Sequence, residues 1–180
     1  MHLILTSTSE VYGTAKYVPI NEDHPINTQS PYAASKAAGD NLAISYYKSF
    51  NTKVSIVRPF NTFGPRQSLR AVIPTIINQA LKGQIISIGD VRPTRDFTYV
   101  EDLCDAFNRV LLNKKTFGEI INISSNFEIS VKNIIDLVSD NLNKKLLIKS
   151  SKKIKRPKNS EVFRLYGSNI KAKKLINWKP

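Results

Sequence analysis

Short apolar runs alternate with helix-length segments along the whole chain, and this alternation restricts the possible folds more than any other feature. Residues 3–5, 53–58, 85–88, 119–123 and 146–148 are rich in Ile, Leu and Val and read as strands. Within 53–58, Val54 and Ile56 are set against Ser55 and Val57, which gives the strand period. Each run is followed by a segment with helix signals. Ser30-Pro31 offers a capping hydroxyl and a first-turn proline, so a helix is expected from there to about Phe50. Further helices are expected over 71–82 with Pro74 in the first turn, over 101–113, from a Ser130 cap to 142, and from a Ser168 cap to 176. The turn-rich stretches 14–30 and 61–70 read as loops. Strands alternating with helices predict an α/β fold built on a parallel sheet.

The chain contains no apolar stretch near the roughly 20 residues that a membrane-crossing helix needs, and its opening lacks the charged flank of a secretory leader. A single cysteine, Cys104, excludes an internal disulfide framework and makes a reducing cytoplasm the expected setting. Leu103 and Ala106 beside it suggest a buried helical thiol without a catalytic role. His2 and His24 have no partner at metal-ligand spacing, so no metal is expected. The net charge of +13 is concentrated at one end: residues 144–180 hold thirteen Lys or Arg against the one acid Glu161. Aromatic residues are not interleaved with these lysines as single-strand binding would require. The segment therefore reads as a solvated surface near a phosphate-bearing substrate, with neither nucleic acid nor membrane as partner.

Four segments carry chemistry. Tyr32 and Lys36 are spaced i, i+4, which puts a phenol and an ammonium on one helical face. A free tyrosine is a weak base at neutral pH, and a neighbouring cation favours its phenolate. Such a pair can take a hydroxyl proton while a hydride leaves the same carbon. Upstream, Thr6-Ser7-Thr8-Ser9-Glu10-Val11-Tyr12-Gly13 places hydroxyls and a carboxylate at the end of a strand, where open parallel sheets bind ligands. Downstream come Arg58-Pro59-Phe60-Asn61-Thr62-Phe63-Gly64-Pro65-Arg66 and Arg92-Pro93-Thr94-Arg95-Asp96-Phe97-Thr98-Tyr99-Val100-Glu101-Asp102.

In this order the four segments resemble the extended short-chain dehydrogenase/reductase family, specifically its nucleotide-sugar epimerases, dehydratases and decarboxylases. The resemblance covers essentially the whole chain, including Arg156-Pro157-Lys158-Asn159-Ser160-Glu161-Val162-Phe163-Arg164-Leu165. It implies NAD as cofactor, a nucleotide-diphosphate sugar as substrate and a homodimer as assembly. It also implies the carboxyl-terminal part of a Rossmann-type parallel sheet (1–60 and 97–124) beside a small α/β substrate-binding region (61–96 and 125–180). Thr8, Ser9, Glu10, Tyr32 and Lys36 are then the expected catalytic residues. Thr6, Ser7, Tyr32, Lys36 and Pro59 are expected to contact the cofactor. Thr8, Asn61, Arg66, Arg95, Arg156 and Arg164 are expected to contact the substrate.

Glu10 suits a 4,6-dehydratase, which must remove a C5 proton that a C4 ketone has made acidic. Dehydratases of dTDP-glucose usually present an aspartate where this chain has Ser9, so Glu10 or a water would supply the proton for the leaving hydroxyl. The segments 61–74 and 93–97 look closest to UDP-N-acetylglucosamine 4,6-dehydratases of nonulosonic (legionaminic) acid synthesis. A 4-epimerase or a UDP-glucuronate decarboxylase remains open, as does a non-catalytic module binding sugar nucleotides or nucleic acid. The family opens with a strand, a glycine-rich turn and a helix that receive the dinucleotide pyrophosphate. No such segment occurs in the 180 residues, so the chain is expected to be a fragment that is inactive alone.

Overall fold

The computed structural model describes residues 1–150 and 162–180. β1 (Leu3–Thr6), β2 (Val54–Pro59) and β6 (Ile120–Ile123) form a parallel sheet with β2 in the middle. The first five residues of β2 are buried, Ser55 and Arg58 included. The expected alternation of faces is therefore absent as a burial pattern, because a central parallel strand is covered on both sides. α1 (Pro31–Phe50) covers one face. Ser30 accepts a hydrogen bond from the Ala33 amide, and Pro31 occupies the first turn. α3 (Val100–Leu112) and α5 (Ile170–Ile176) cover the other face, around Val57, Ala106, Val110, Ile121, Ile123, Ile176 and Trp178.

A second group of elements is built on β3 (Asn61–Phe63), β5 (Thr94–Tyr99), β7 (Glu128–Ser130) and β9 (Arg164–Leu165). β5 pairs in parallel with β3 and β9 and antiparallel with β7. β4 (Ile85–Ile88) pairs in parallel with β8 (Leu147–Ser150), and Ile86 and Ile88 pack against α2 (Val72–Lys82) and α4 (Val131–Asn141). A third cluster joins the two groups: Val11, Tyr12, Ile20, Phe60, Val162 and Leu165. Here Ile20 exchanges backbone hydrogen bonds with Tyr166 and Ser168. A Cβ at Gly167 would lie 2.6 Å from both Phe60 and Ser124, so only glycine permits this close approach.

Several elements differ from the sequence expectation. β3 lies where a loop was expected over 61–70, and β5, β7 and β9 were not among the expected strands. Runs of two or three residues are too short to establish a period, and their pairing with β5 creates them. α5 begins at Ile170 with Asn169 in the capping position, while Ser168 only accepts a 3.4 Å hydrogen bond from the Ile170 amide. Cys104 is exposed, not buried. The inward stripe of α3 runs through Leu103, Ala106, Phe107 and Val110, and Cys104 is turned about 100° from Leu103. His24, expected in an open polar loop, is buried. Its ring accepts from the Lys16 amide at 3.0 Å and lies 2.9 Å from the Pro25 carbonyl.

Candidate active site

The site forms where β1 ends. The Ser7 amide continues the ladder to the Val57 carbonyl at 2.8 Å, and the chain then enters a 3₁₀ turn, Ser9–Tyr12. Thr8 has extended backbone angles, and its hydroxyl oxygen accepts a hydrogen bond from the Glu10 amide at 3.2 Å. Val11 and Tyr12, both fully buried, anchor the turn in the core. Gly13 closes it at φ 61, where a Cβ would lie 2.1 Å from the Asn27 carbonyl oxygen. These constraints hold the Thr8 hydroxyl and the half-buried Glu10 carboxylate at the strand tip.

α1 brings the second half of the constellation, and it packs against both β1 and the 3₁₀ turn. Lys36 donates from Nζ to the Thr6 carbonyl at 2.9 Å, which draws the ammonium to the last residue of β1. The same Nζ lies 5.9 Å from the centre of the Tyr32 ring. Tyr32 is 51% exposed, so its phenol faces open space rather than the core. Phenol, ammonium, threonine hydroxyl and carboxylate thus belong to two segments that meet at one strand end. The arrangement suits proton transfer at a polyhydroxylated substrate.

Ser7, expected to contact the cofactor, is 3% exposed. Its hydroxyl donates to Asp40 Oδ2 at 2.9 Å, inside a buried network. Arg58 binds the same carboxylate oxygen through Nε at 3.0 Å and Nη2 at 2.9 Å, with both side chains under 5% exposed. Arg58 Nη1 also donates to the Tyr12 hydroxyl at 2.9 Å, and that hydroxyl donates to Asn122 Oδ1 at 2.8 Å. Burial pushes the Tyr12 phenol up from its usual range, against the lowering charge of Arg58. It therefore stays protonated as the donor to Asn122. Ser9 is 3% exposed, enclosed within the turn. Pro59 ends β2, half-buried, beside Ile123.

The expected substrate-binding residues divide. Asn61 and Arg95 line a cavity of about 850 Å³ between β3, β5 and α2. Arg95 is held by the carbonyls of Thr94 at 2.8 Å and Phe163 at 3.3 Å. Arg66 occupies an exposed left-handed turn at φ 67 and is not part of the lining. Arg156 lies outside the described residues. The lining instead includes Arg70, Arg92 and Gln67, which the sequence reading passed over. Arg92 forms a forked ion pair with Asp90. Gln67 donates to the Thr62 carbonyl at 2.7 Å, which fixes its amide orientation. Among the described residues, Gln67 Oε1 and Asn61 Oδ1 are buried without a partner. Two acceptors beside several guanidinium groups suit a ligand that combines phosphate oxygens with hydroxyl or amide donors.

Arg164 is paired with Glu128 through two 2.7 Å hydrogen bonds, and Glu128 also accepts from the Thr94 hydroxyl. The Arg164 hydrogen bonds hold the Glu128 carboxyl below the usual glutamate range. A lowered folded value means that the pair's stabilisation is present above the ordinary glutamate pKa and disappears as pH falls through the lowered one. Arg164 is 48% exposed, so Glu128→Gln is expected to cost at most about 1 kcal/mol at neutral pH. Urea unfolding of both forms should show that difference at pH 7 and its progressive loss as pH falls below the ordinary glutamate range.

Comparison with known proteins adds to this geometry. The family model described as GDP-mannose 4,6 dehydratase matches residues 1–180. A dTDP-D-glucose 4,6-dehydratase of Dictyostelium discoideum is 38% identical over 140 residues, covering 71% of this chain and 32% of that protein. The dTDP-glucose 4,6-dehydratase of Bacillus anthracis, solved with NAD, superposes with a TM-score of 0.88 at 30% identity, over 99% of this chain and 56% of that one. The UDP-glucuronic acid 4-epimerase of Bacillus cereus, solved with UDP-glucuronic acid and NAD, gives 0.89 at 32% identity, over 98% of this chain and 55% of that one. The chain spans about half the length of the curated relatives that it matches over nearly all its residues.

Proposed function

The chain belongs to the GDP-mannose 4,6-dehydratase family of nucleotide-sugar dehydratases and epimerases, and from that premise we propose that it carries the catalytic groups of an NAD-dependent 4,6-dehydratase. The observation that carries this reading is the placement of Thr8 and Glu10 on the turn against which α1 sets Tyr32 and Lys36. An epimerase needs only the hydroxyl and the tyrosine, whereas dehydration also needs a carboxylate at C5.

The residues fit the nicotinamide-ribose end of NAD. Lys36 is already drawn to the end of β1, and Tyr32 presents an open phenol beside it. Tyr32, Lys36, Thr6 and Pro59 would hold that end, while the Ser7 hydroxyl is committed to Asp40. Bound there, NAD would supply the hydride acceptor for oxidation at C4 and the hydride donor for reduction at C6.

Tyr32 accepts the proton of the C4 hydroxyl, and the Lys36 ammonium beside it favours the phenolate that does so. Thr8 hydrogen-bonds the C4 oxygen. Glu10 removes the C5 proton, and the C6 hydroxyl leaves as water after protonation. With Ser9 enclosed, Glu10 is the group that hands on the proton. A solvent-derived proton then enters C5 as hydrogen returns to C6, which gives a 4-keto-6-deoxy sugar nucleotide.

Residues 1–60 and 97–124 would form the cofactor side, and 61–96 with 125–180 the substrate side. The diphosphate would lie in the cavity beside Asn61, Arg95 and Arg92. UDP-N-acetylglucosamine is the preferred substrate, on the likeness of segments 61–74 and 93–97. Leu42, Tyr46 and Phe50 of α1, with Ile77 and Leu81 of α2, are exposed apolar side chains at which a second copy would dock to form a homodimer.

The NAD-loaded enzyme, here and below, is this chain joined to the remaining half of a relative that binds NAD; its incubation with UDP-N-acetylglucosamine should yield a product lighter by one water that carries a 4-keto chromophore. A C4 epimer of unchanged mass would establish the second reading, a 4-epimerase, which the likeness to the Bacillus cereus enzyme favours.

A further inference from the structure

We propose that the buried Asp40–Arg58 pair is a positioning device that sets the two halves of the catalytic constellation against each other; this rests on the dehydratase reading above. Tyr32, Lys36 and Asp40 follow one another at single helical turns on the same stripe of α1. Lys36 binds the Thr6 carbonyl, and Asp40, one turn later, accepts from the Ser7 hydroxyl. Two consecutive residues of the strand end are therefore tied to two consecutive turns of the helix. The helix can neither rotate nor slide without breaking one of them.

The pair also brackets the turn. Ser7 precedes Thr8, and Tyr12 follows Glu10 by two residues. Ser7 is bound to Asp40 and Tyr12 to Arg58, while Asp40 and Arg58 are bound to each other. Thr8 and Glu10 thus lie on a short loop whose two ends are fixed to one ion pair. Asn122 on β6 holds the Tyr12 hydroxyl from the far side, and the Arg58 guanidinium lies 4.9 Å from the centre of the Tyr12 ring.

Stability alone does not require such a pair. A buried ion pair loses hydration, and apolar residues of similar volume often stabilise a core as well. What apolar residues cannot supply is direction. Proton removal at C5 depends on placing a carboxylate to within a fraction of an ångström, and small misplacements can cost about a hundredfold in rate. The substrate cavity is built from other strands and should not notice the change.

The test compares kcat and KM for the sugar nucleotide in the NAD-loaded enzyme, well below each variant's Tm. Tyr12→Phe removes one hydroxyl from the network and Ser7→Ala another, while Ser7→Thr restores a hydroxyl. Each deletion is expected to lower kcat by about tenfold with KM within about twofold, and Ser7→Thr should recover most of the loss. If Tyr12→Phe destabilises the protein too far to assay, Ser7→Ala and Ser7→Thr decide alone. An active wild type whose Ser7→Ala or Tyr12→Phe form keeps full kcat would overturn the positioning role and leave the dehydratase reading intact. A wild type that converts no nucleotide sugar would overturn the reading itself.

Discussion

Tyr32→Phe is expected to reduce kcat of the NAD-loaded enzyme by about 10²–10⁴-fold, the range typical of a lost general acid–base group. The substitution isolates one atom. Tyr32 is half exposed, so replacing its hydroxyl should alter stability by no more than about 0.5 kcal/mol. The ring stays beside Lys36, and Lys36 keeps its bond to the Thr6 carbonyl. Nothing in the substrate cavity is touched, because its lining comes from β3, α2, β4 and β5 with their flanking loops, together with Val131 and Phe163. KM should therefore stay near the wild-type value while kcat falls, the pattern of an interaction made in the transition state. Steady-state rates with saturating NAD and sugar nucleotide measure it. A kcat within threefold of wild type would remove Tyr32 from the proton-transfer role.

The largest effect on stability is expected at Trp178. It is 1% exposed and packs in the cluster that joins β2 and β6 to α3 and α5. Its indole N–H donates to the Asp102 carbonyl at 2.9 Å, so the side chain both fills space and finds a partner for its one polar group in the first turn of α3. Trp178→Ala should cost about 3–5 kcal/mol, from lost burial and the cavity left behind. For a chain of this size that lowers Tm by roughly 10 °C. Trp178→Phe refills most of the volume and should recover the larger part, leaving about 0.5–1.5 kcal/mol for the lost indole hydrogen bond, since the Asp102 carbonyl keeps its helical partner. Thermal melts of the three forms are sufficient. Equal melting temperatures for wild type and Trp178→Ala would mean that α5 does not hold the sheet as described.

What could be read from the sequence follows physical range. Ser30-Pro31 marked α1 because caps act over three residues, and the Tyr32–Lys36 face followed from helical geometry alone. The central strand was legible from its valines and isoleucine, but its buried Ser55 and Arg58 were not. Their partners, Thr116 for Ser55 and Asp40 with Tyr12 for Arg58, lie 18 to 61 residues away. The commitment of Ser7 to Asp40 was hidden for the same reason. Arg66 was favoured by its place in a motif, yet the left-handed turn at that residue leaves it exposed, and Arg70 reaches the cavity instead. Its signal was available: Arg70 stands two residues before α2, where the chain turns back towards β4.

The most direct test of the central claim, that Glu10 removes a C5 proton from a sugar oxidised with the help of Tyr32, is the fate of hydrogen in heavy water. UDP-N-acetylglucosamine converted in D₂O should give a 4-keto-6-deoxy product that carries one deuterium at C5, while C6 keeps the hydrogen that began at C4. A product without deuterium at C5, whether a C4 epimer or a simple ketone, would contradict the account.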